Sequence, residues 1–166
     1  NISIRGKTLG IVGFGDIGKK IIKLVENWEM DILVTRKHSH LDHNFPGVTF
    51  VDFPVLIQNC NFIVFALPLT SSSFHMFNKD HVELLKTNSI IINISRGNVV
   101  DERAIHEALE SGNLYRYCTD VFSQEPINSD NIFLKSDKTI LSPHVAWATE
   151  DTDKQHYSIC FDQIEI

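Results

Sequence analysis

Ten residues constrain this chain more than any others: Leu9-Gly10-Ile11-Val12-Gly13-Phe14-Gly15-Asp16-Ile17-Gly18. An apolar run of strand length leads into glycines spaced G-x-G-x-x-G. The segment Lys19–Trp28 follows, with Ile21, Ile22, Leu24, Val25 and Trp28 spaced for one apolar helix face. Glycine turns are common, so the spacing alone is a weak signal. Strand, turn and helix in this order make it a specific one, because each glycine has a physical job in a dinucleotide cradle. Gly13 makes the tight turn, Gly15 lets backbone approach a pyrophosphate, and Gly18 lets the helix pack closely on the strand. The helix N-terminus adds unpaired N–H groups and a positive dipole end.

The rest of the chain repeats that alternation. Strands are expected near Thr8–Val12, Asp31–Thr35, Val48–Phe50, Phe62–Ala66, Ile90–Asn93, Tyr117–Val121 and Thr139–Leu141. Helices are expected near Ile17–Trp28, Phe53–Gln58, Lys79–Leu85, Asp101–Ser111 and Glu150–Ile164. Apolar strands alternating with helices predict an α/β protein with a Rossmann-like, doubly wound parallel sheet in three α/β/α layers. Asp101 is placed to cap its helix, and Ser111-Gly112-Asn113 to stop it.

The 166 residues suit one domain with a real core. A net charge of −6 and a pI near 5.7 argue against nucleic acid or an anionic membrane as a partner. No apolar run approaches the ~18 residues of a membrane span, and no secretory leader is expected. Cys60, Cys118 and Cys160 are far apart, which suits free thiols in a reducing cytosol, so a cytoplasmic location is expected. His38, His40 and His43 sit among Asp, Ser and Asn, as in a solvated loop, so no metal site is expected there. The abrupt start, and the uncapped helix face of Tyr157, Cys160, Phe161 and Ile164, predict one domain of a longer protein.

Three further stretches carry a resemblance. They are Leu85-Lys86-Thr87-Asn88-Ser89-Ile90-Ile91-Ile92-Asn93-Ile94-Ser95-Arg96-Gly97-Asn98-Val99-Val100-Asp101, then Asp120-Val121-Phe122-Ser123-Gln124-Glu125-Pro126, then Ser142-Pro143-His144-Val145-Ala146-Trp147-Ala148-Thr149. With the glycine loop, in this order and spacing, they resemble the cofactor-binding domain of the D-isomer-specific 2-hydroxyacid dehydrogenases over almost the whole chain. The Pro-His-Val-Ala-Trp-Ala form is most similar to the glycerate dehydrogenase and hydroxypyruvate reductase branch. The resemblance implies hydride transfer between a nicotinamide cofactor and a small 2-keto or 2-hydroxy acid of glyoxylate or hydroxypyruvate type. It implies a catalytic trio of Arg96, Glu125 and His144, and a homodimer. It also implies that residues 1–166 are the dinucleotide-binding domain, with a substrate-binding domain built from sequence on both sides.

The chemistry supports the same trio. Reduction of a keto acid needs a cation for the carboxylate and keto oxygen, and a proton donor for the developing alkoxide. Arg96 follows an apolar strand, and its planar fork suits a two-point grip; the competing reading is a surface ion pair. His144 follows Ser142-Pro143, where proline fixes the direction of the next residue; a structural turn histidine is the bland alternative. Glu125 would accept from the other ring nitrogen and favour the charged imidazole. Glutamate there also argues against the related formate dehydrogenases, whose equivalent position resembles glutamine. Asp120 would face the nicotinamide carboxamide, or is an ordinary strand-end aspartate. The cofactor-lining set implied is Gly13, Phe14, Gly15, Asp16, Ile17, Gly18, Thr35, Arg36, Lys37, Leu67, Pro68, Thr70, Ile94, Ser95, Asp120, His144 and Ala146.

An NAD-preferring site carries an acid after the second strand, to hold the ribose 2′-hydroxyl. Here Thr35 runs into Arg36-Lys37, and no acid appears until Asp42. Arginine accommodates a 2′-phosphate, and one charge-assisted contact is worth about 1.5–3 kcal/mol, so NADP(H) is expected over NAD(H). Two departures matter. Asp16 brings a carboxylate to the phosphate loop, where it repels phosphate unless it points to solvent. Tyr115-Arg116-Tyr117-Cys118-Thr119 stands where the family has small residues, crowding the Asp120 strand. Two rival readings stay open: a nucleotide-sensing interaction module like the corepressors that share this fold, and an inactive fragment.

Overall fold

The computed structural model describes residues 3–36, 45–146, 148, 149 and 152. Among them, seven strands form one sheet: β1 (Thr8–Val12), β2 (Asp31–Thr35), β3 (Val48–Phe50), β4 (Phe62–Phe65), β5 (Ser89–Asn93), β6 (Leu114–Thr119) and β7 (Thr139–Leu141). The order is β3-β2-β1-β4-β5-β6-β7, and every pairing is parallel. The described helices are α1 (Asp16–Val25), α2 (Phe53–Asn59), α3 (Lys79–Val82) and α4 (Glu102–Ser111), with 3-10 turns at Gly97–Val99 and Ile132–Lys135. This is the Rossmann-like, doubly wound α/β architecture.

Parallel strands covered on both faces read as unbroken apolar runs, and β4 does so as Phe62-Ile63-Val64-Phe65. Its alternate residues serve different layers. Ile63 and Phe65 join a core with Leu56, Ile57, Ile105 and Leu109 of α2 and α4. Val64 joins the opposite core, with Ile11, Ile22 and Val25, beneath α1. Gly10 shows how tightly α2 lies on β1: a Cβ there would sit 2.5 Å from Leu56 Cδ2 and 2.7 Å from Cys60 Sγ. Cys60 is fully buried, and burial pushes its thiol up to about 12.

The chain winds outward from β1 in one direction and then restarts at β4 in the other. Between these two strands lies the switch point, and all seven strands deliver their C-terminal ends to one rim there. Among the described residues, the glycine loop follows β1, Arg96 follows β5, Asp120 and Glu125 follow β6, and His144 follows β7 onto this rim.

Asp101 caps α4, accepting from the backbone N–H groups of Arg103 and Ala104 at 3.0 and 3.4 Å. Gly112 ends that helix in the left-handed region at φ +81°. Some boundaries differ from expectation. β6 runs from Leu114 to Thr119, three residues earlier than expected, because buried Leu114 pairs with Ser89 directly after the glycine stop. Asp120 therefore lies just beyond the strand instead of ending it. On α1 the buried stripe is Gly18, Ile22 and Val25; Leu24 lies off that stripe and is 69% exposed, while the helix ends at Val25 and leaves Trp28 in the turn beyond it, 50% exposed. α3 stops at Val82 and continues as turns through Leu85. Tyr115–Thr119 does not crowd the rim. Tyr117 is buried against Phe133, with ring centroids 5.0 Å apart, while Tyr115 faces solvent and stacks with Arg116. The expected helix Glu150–Ile164 lies, apart from Thr152, outside the described residues.

Candidate active site

The glycine loop is built by backbone approach. Gly13 adopts φ +109°, and a Cβ on it would sit 2.4 Å from the carbonyl oxygen of Ala66 at the end of β4. Its N–H donates to the Thr35 carbonyl at 2.9 Å, tying β1 to the end of β2. A Cβ on Gly18 would sit 2.3 Å from the Gly13 carbonyl oxygen, so α1 packs on the loop because glycine is there. Gly15 is different: nothing lies within 4 Å of where its Cβ would be. It opens α1 without a side-chain cap, so the first-turn N–H groups meet an open cleft. A pyrophosphate fits this cradle by the physics of helix N-termini.

The cleft in front holds about 550 Å³, walled by Asp16 and Ile17 on one side and by Leu67, Pro68, Ile94, Ser95 and Arg96 on the other. Asp16 is exposed at its rim. A second cleft of about 340 Å³ opens on the β2 side, where Phe14, Thr35, Arg36 and Thr70 meet Leu67 and Pro68. Thr35 is buried, and the Arg36 guanidinium lies over the Phe50 ring, 4.5 Å from its centroid. Lys37, with His38, His40 and His43, lies outside the described residues. The Leu67–Thr70 wall has a brace that the sequence reading passed over. Buried Ser73 donates through Oγ to the Pro68 carbonyl at 2.7 Å and accepts from the Thr70 N–H at 2.7 Å.

Farther along the rim lie Arg96, Glu125 and His144. His144 Nδ1 is 3.0 Å from Glu125 Oε2, with the side chains 34% and 39% exposed. A carboxylate only accepts, so Nδ1 carries the proton and donates. That fixes the tautomer and leaves Nε2 as the nitrogen available to another group. Glu125 Oε1 accepts from the Phe122 N–H at 3.0 Å. The His144 hydrogen bond, the Phe122 N–H and nearby Arg96 together hold the Glu125 carboxyl below the usual carboxylate value.

These side chains are brought together by groups with no chemistry of their own. Asn93 ends β5 fully buried; its Oδ1 accepts from the Ser95 N–H and hydroxyl, and its Nδ2 donates to the Arg96 carbonyl at 3.0 Å. Thr119, ending β6, donates to the Asn93 carbonyl at 3.0 Å. The Arg96 turn is thus locked to the sheet. A Cβ on Gly97 would lie 1.9 Å from the Phe122 carbonyl carbon, so the turn rests directly on the Phe122–Ser123 backbone. Glu102 Oε1 accepts from the Ser123 N–H at 2.8 Å, anchoring the loop that carries Glu125 to the start of α4. Asn93 was legible as a polar residue closing an all-apolar strand; Glu102 had no signal beyond its place at a helix start.

Asp120 Oδ1 is buried and has no hydrogen-bond partner among the described residues. A buried acceptor left open costs free energy unless a donor meets it, and a carboxamide N–H is such a donor. Ala146 follows His144 onto the exposed surface. Among the described residues, no group of three or more His, Cys, Asp or Glu side chains could hold a metal ion, and no helix is long and apolar enough to cross a membrane.

Comparison with known proteins places this geometry. Residues 1–146 match the family model described as D-isomer specific 2-hydroxyacid dehydrogenase, NAD binding domain. The chain is 38% identical over 151 residues to a glyoxylate reductase of Thermococcus litoralis, covering 89% of this chain and 45% of that protein. It is 36% identical over 154 residues to glyoxylate/hydroxypyruvate reductase B of an Enterobacter species, covering 91% of this chain and 47% of that protein. The chain therefore spans less than half the length of these curated relatives. Among solved structures, an NAD-dependent formate dehydrogenase from Staphylococcus aureus in complex with NAD superposes with a TM-score of 0.90 at 27% identity, over 98% of this chain and 49% of that one.

Proposed function

The chain belongs to the D-isomer-specific 2-hydroxyacid dehydrogenases, matching their NAD binding domain, and from that premise we propose that it is the nucleotide-binding half of a glyoxylate or hydroxypyruvate reductase. The single observation that carries the reading is the His144–Glu125 hydrogen bond at 3.0 Å on the rim that Arg96 shares. The reduced nicotinamide supplies the hydride. Arg96 grips the carboxylate and keto oxygen of the substrate with its fork. His144, held by Glu125 through Nδ1, delivers a proton from Nε2 to the oxygen as negative charge develops there; in the reverse direction neutral Nε2 takes it back. Asp120 meets the nicotinamide carboxamide, and Gly13, Gly15 and Gly18 with the start of α1 hold the pyrophosphate. Glu125 in place of glutamine favours keto-acid chemistry over formate oxidation.

Arg36 at the mouth of the β2-side cleft supports preference for a 2′-phosphate, hence NADPH over NADH. The protein acts in the cytoplasm as a homodimer, and a second domain closes the crevice over the substrate. The 166 residues alone bind nucleotide but reduce hydroxypyruvate poorly. Titration with NADPH and NADH, on the protein and on Arg36→Ala, tests the first part. Preference for NADPH by about tenfold or more, lost in Arg36→Ala, is expected; equal affinity overturns it. For the chemistry, His144→Asn in the full-length enzyme is expected to lower kcat by roughly 10²–10⁴-fold with nucleotide affinity unchanged. Unchanged turnover sinks the assignment of the proton donor.

A further inference from the structure

The β2-side cleft carries an aromatic arrangement that the glycine-loop reading does not explain. Phe14, inside the loop, meets Phe50 edge-to-face at 5.0 Å and Phe45 edge-to-face at 5.3 Å, both at 87°. Phe50 closes β3 in register with Val34 of β2, two residues before Arg36, which lies just past the end of β2. The Arg36 guanidinium carbon lies 4.5 Å from the Phe50 centroid and 5.5 Å from the Phe14 centroid. Both distances fall within the ~6 Å over which a ring face attracts a cation. Stacking engages the face of the guanidinium and fixes the plane in which its N–H groups lie.

We propose that Phe50 is a specificity-determining position: it is the platform that orients Arg36 toward the 2′-phosphate of the nucleotide and thereby sets the preference for NADPH. This rests on the reading of Arg36 as the 2′-phosphate group's partner. A long arginine side chain loses rotamer freedom on binding an anion. A ring that already holds the guanidinium removes part of that cost, and the benefit goes only to the nucleotide that carries the phosphate. Phe50 does not act on the pyrophosphate or the nicotinamide, both of which NADH shares. Its removal therefore changes the ratio of affinities and leaves NADH binding alone. That asymmetry separates a platform from a packing residue.

The experiment is a calorimetric titration of NADPH and NADH on the protein and on Phe50→Leu, Phe50→Tyr and Arg36→Ala. Leucine keeps most of the volume and removes the π face; tyrosine keeps the face. Phe50→Leu is expected to lower the NADPH-to-NADH affinity ratio by about 2- to 5-fold, the weight of an exposed cation–π contact. NADH affinity stays unchanged, and Phe50→Tyr retains the ratio. A Phe50→Leu protein that loses affinity for both nucleotides equally assigns Phe50 to packing and overturns the proposal. So does a ratio unmoved by Phe50→Leu while Arg36→Ala lowers it, which leaves the Arg36 reading standing. A ratio that Arg36→Ala itself does not lower removes the Arg36 reading, and the Phe50 proposal falls with it.

Discussion

The two ends of the rim are built by opposite means. Around β1 and α1 the site is carved by missing side chains: Gly13 and Gly18 let backbone meet backbone, and Gly15 leaves open space. Around β5, β6 and β7 it is assembled by side chains held in a buried polar network, in which Asn93 and Thr119 lock the Arg96 turn and Glu102 anchors the loop of Glu125. The first end needs only a short stretch of chain and its sheet neighbours. The second joins residues 19 apart in sequence at one hydrogen bond, and depends on the parallel register for that meeting. One end thus tolerates changes around it and fails by filling; the other fails when a support is removed.

Gly97 tests the contrast most severely. It sits at the second end but works like the first, and a Cβ there overlaps the Phe122 backbone. Gly97→Ala is expected to destabilise the protein by about 3 kcal/mol or more, since backbone cannot yield as a flexible side chain does. Urea unfolding measures it, and a loss under about 1 kcal/mol would show the turn able to lift off. Next comes Asn93→Leu, which strips the buried Ser95 N–H and hydroxyl of their common acceptor, at a cost of about 2–3 kcal/mol by the same measurement. Gly15→Ala turns the comparison around: with open space at its Cβ and an ordinary negative φ of −85°, it should alter stability little. The added methyl occupies the pyrophosphate's approach, and nucleotide affinity should fall about tenfold, worth about 1.4 kcal/mol. Affinity intact in Gly15→Ala would mean the cradle lies elsewhere.

The smallest expected effect is in pH. The folded protein holds the Glu125 carboxyl below its ordinary 4.5, so the ionised form is the one the fold favours. Its contribution is in full force above the ordinary value and fades as pH falls through the lower folded value. Both partners are partly exposed, which keeps the contribution modest. Glu125→Gln should flatten the acid side of the stability profile below about pH 4.5, measured as Tm against pH; an unchanged acid limb would mean that His144 does not grip the ionised carboxylate.

The first end was legible because its information is local. Apolar runs gave β1, β2, β3 and β7 at their observed bounds, and the glycine spacing located the turn. Where polar residues interrupt a strand the reading slipped: Tyr115 and Arg116 hid the start of β6, although Leu114 is buried there. The second end was legible only in its exposed chemistry. Asn93 reads as a strand end from sequence and proves to be the buried centre of a network, because its side chain turns back on Ser95 and Arg96 while Thr119 of β6 meets its carbonyl. Glu102 belongs to a helix start by spacing, and to the Glu125 loop only once α4 is laid against it. Leu24 and Trp28 were misassigned because an apolar residue is not compelled inward; a folded surface has room for both.

Cys60 gives the fold an internal clock. Only the thiolate reacts with alkylating reagents, and a thiol pushed up to about 12 beneath α2 holds almost none at neutral pH. Modification therefore waits for α2 to part from β1, the event that Gly10 and Cys60 make so close-fitting. The rate at which a small thiol reagent marks this cysteine, read peptide by peptide in a mass spectrometer, counts those partings directly. Any ligand that grips the loop at the end of β1 should slow the count.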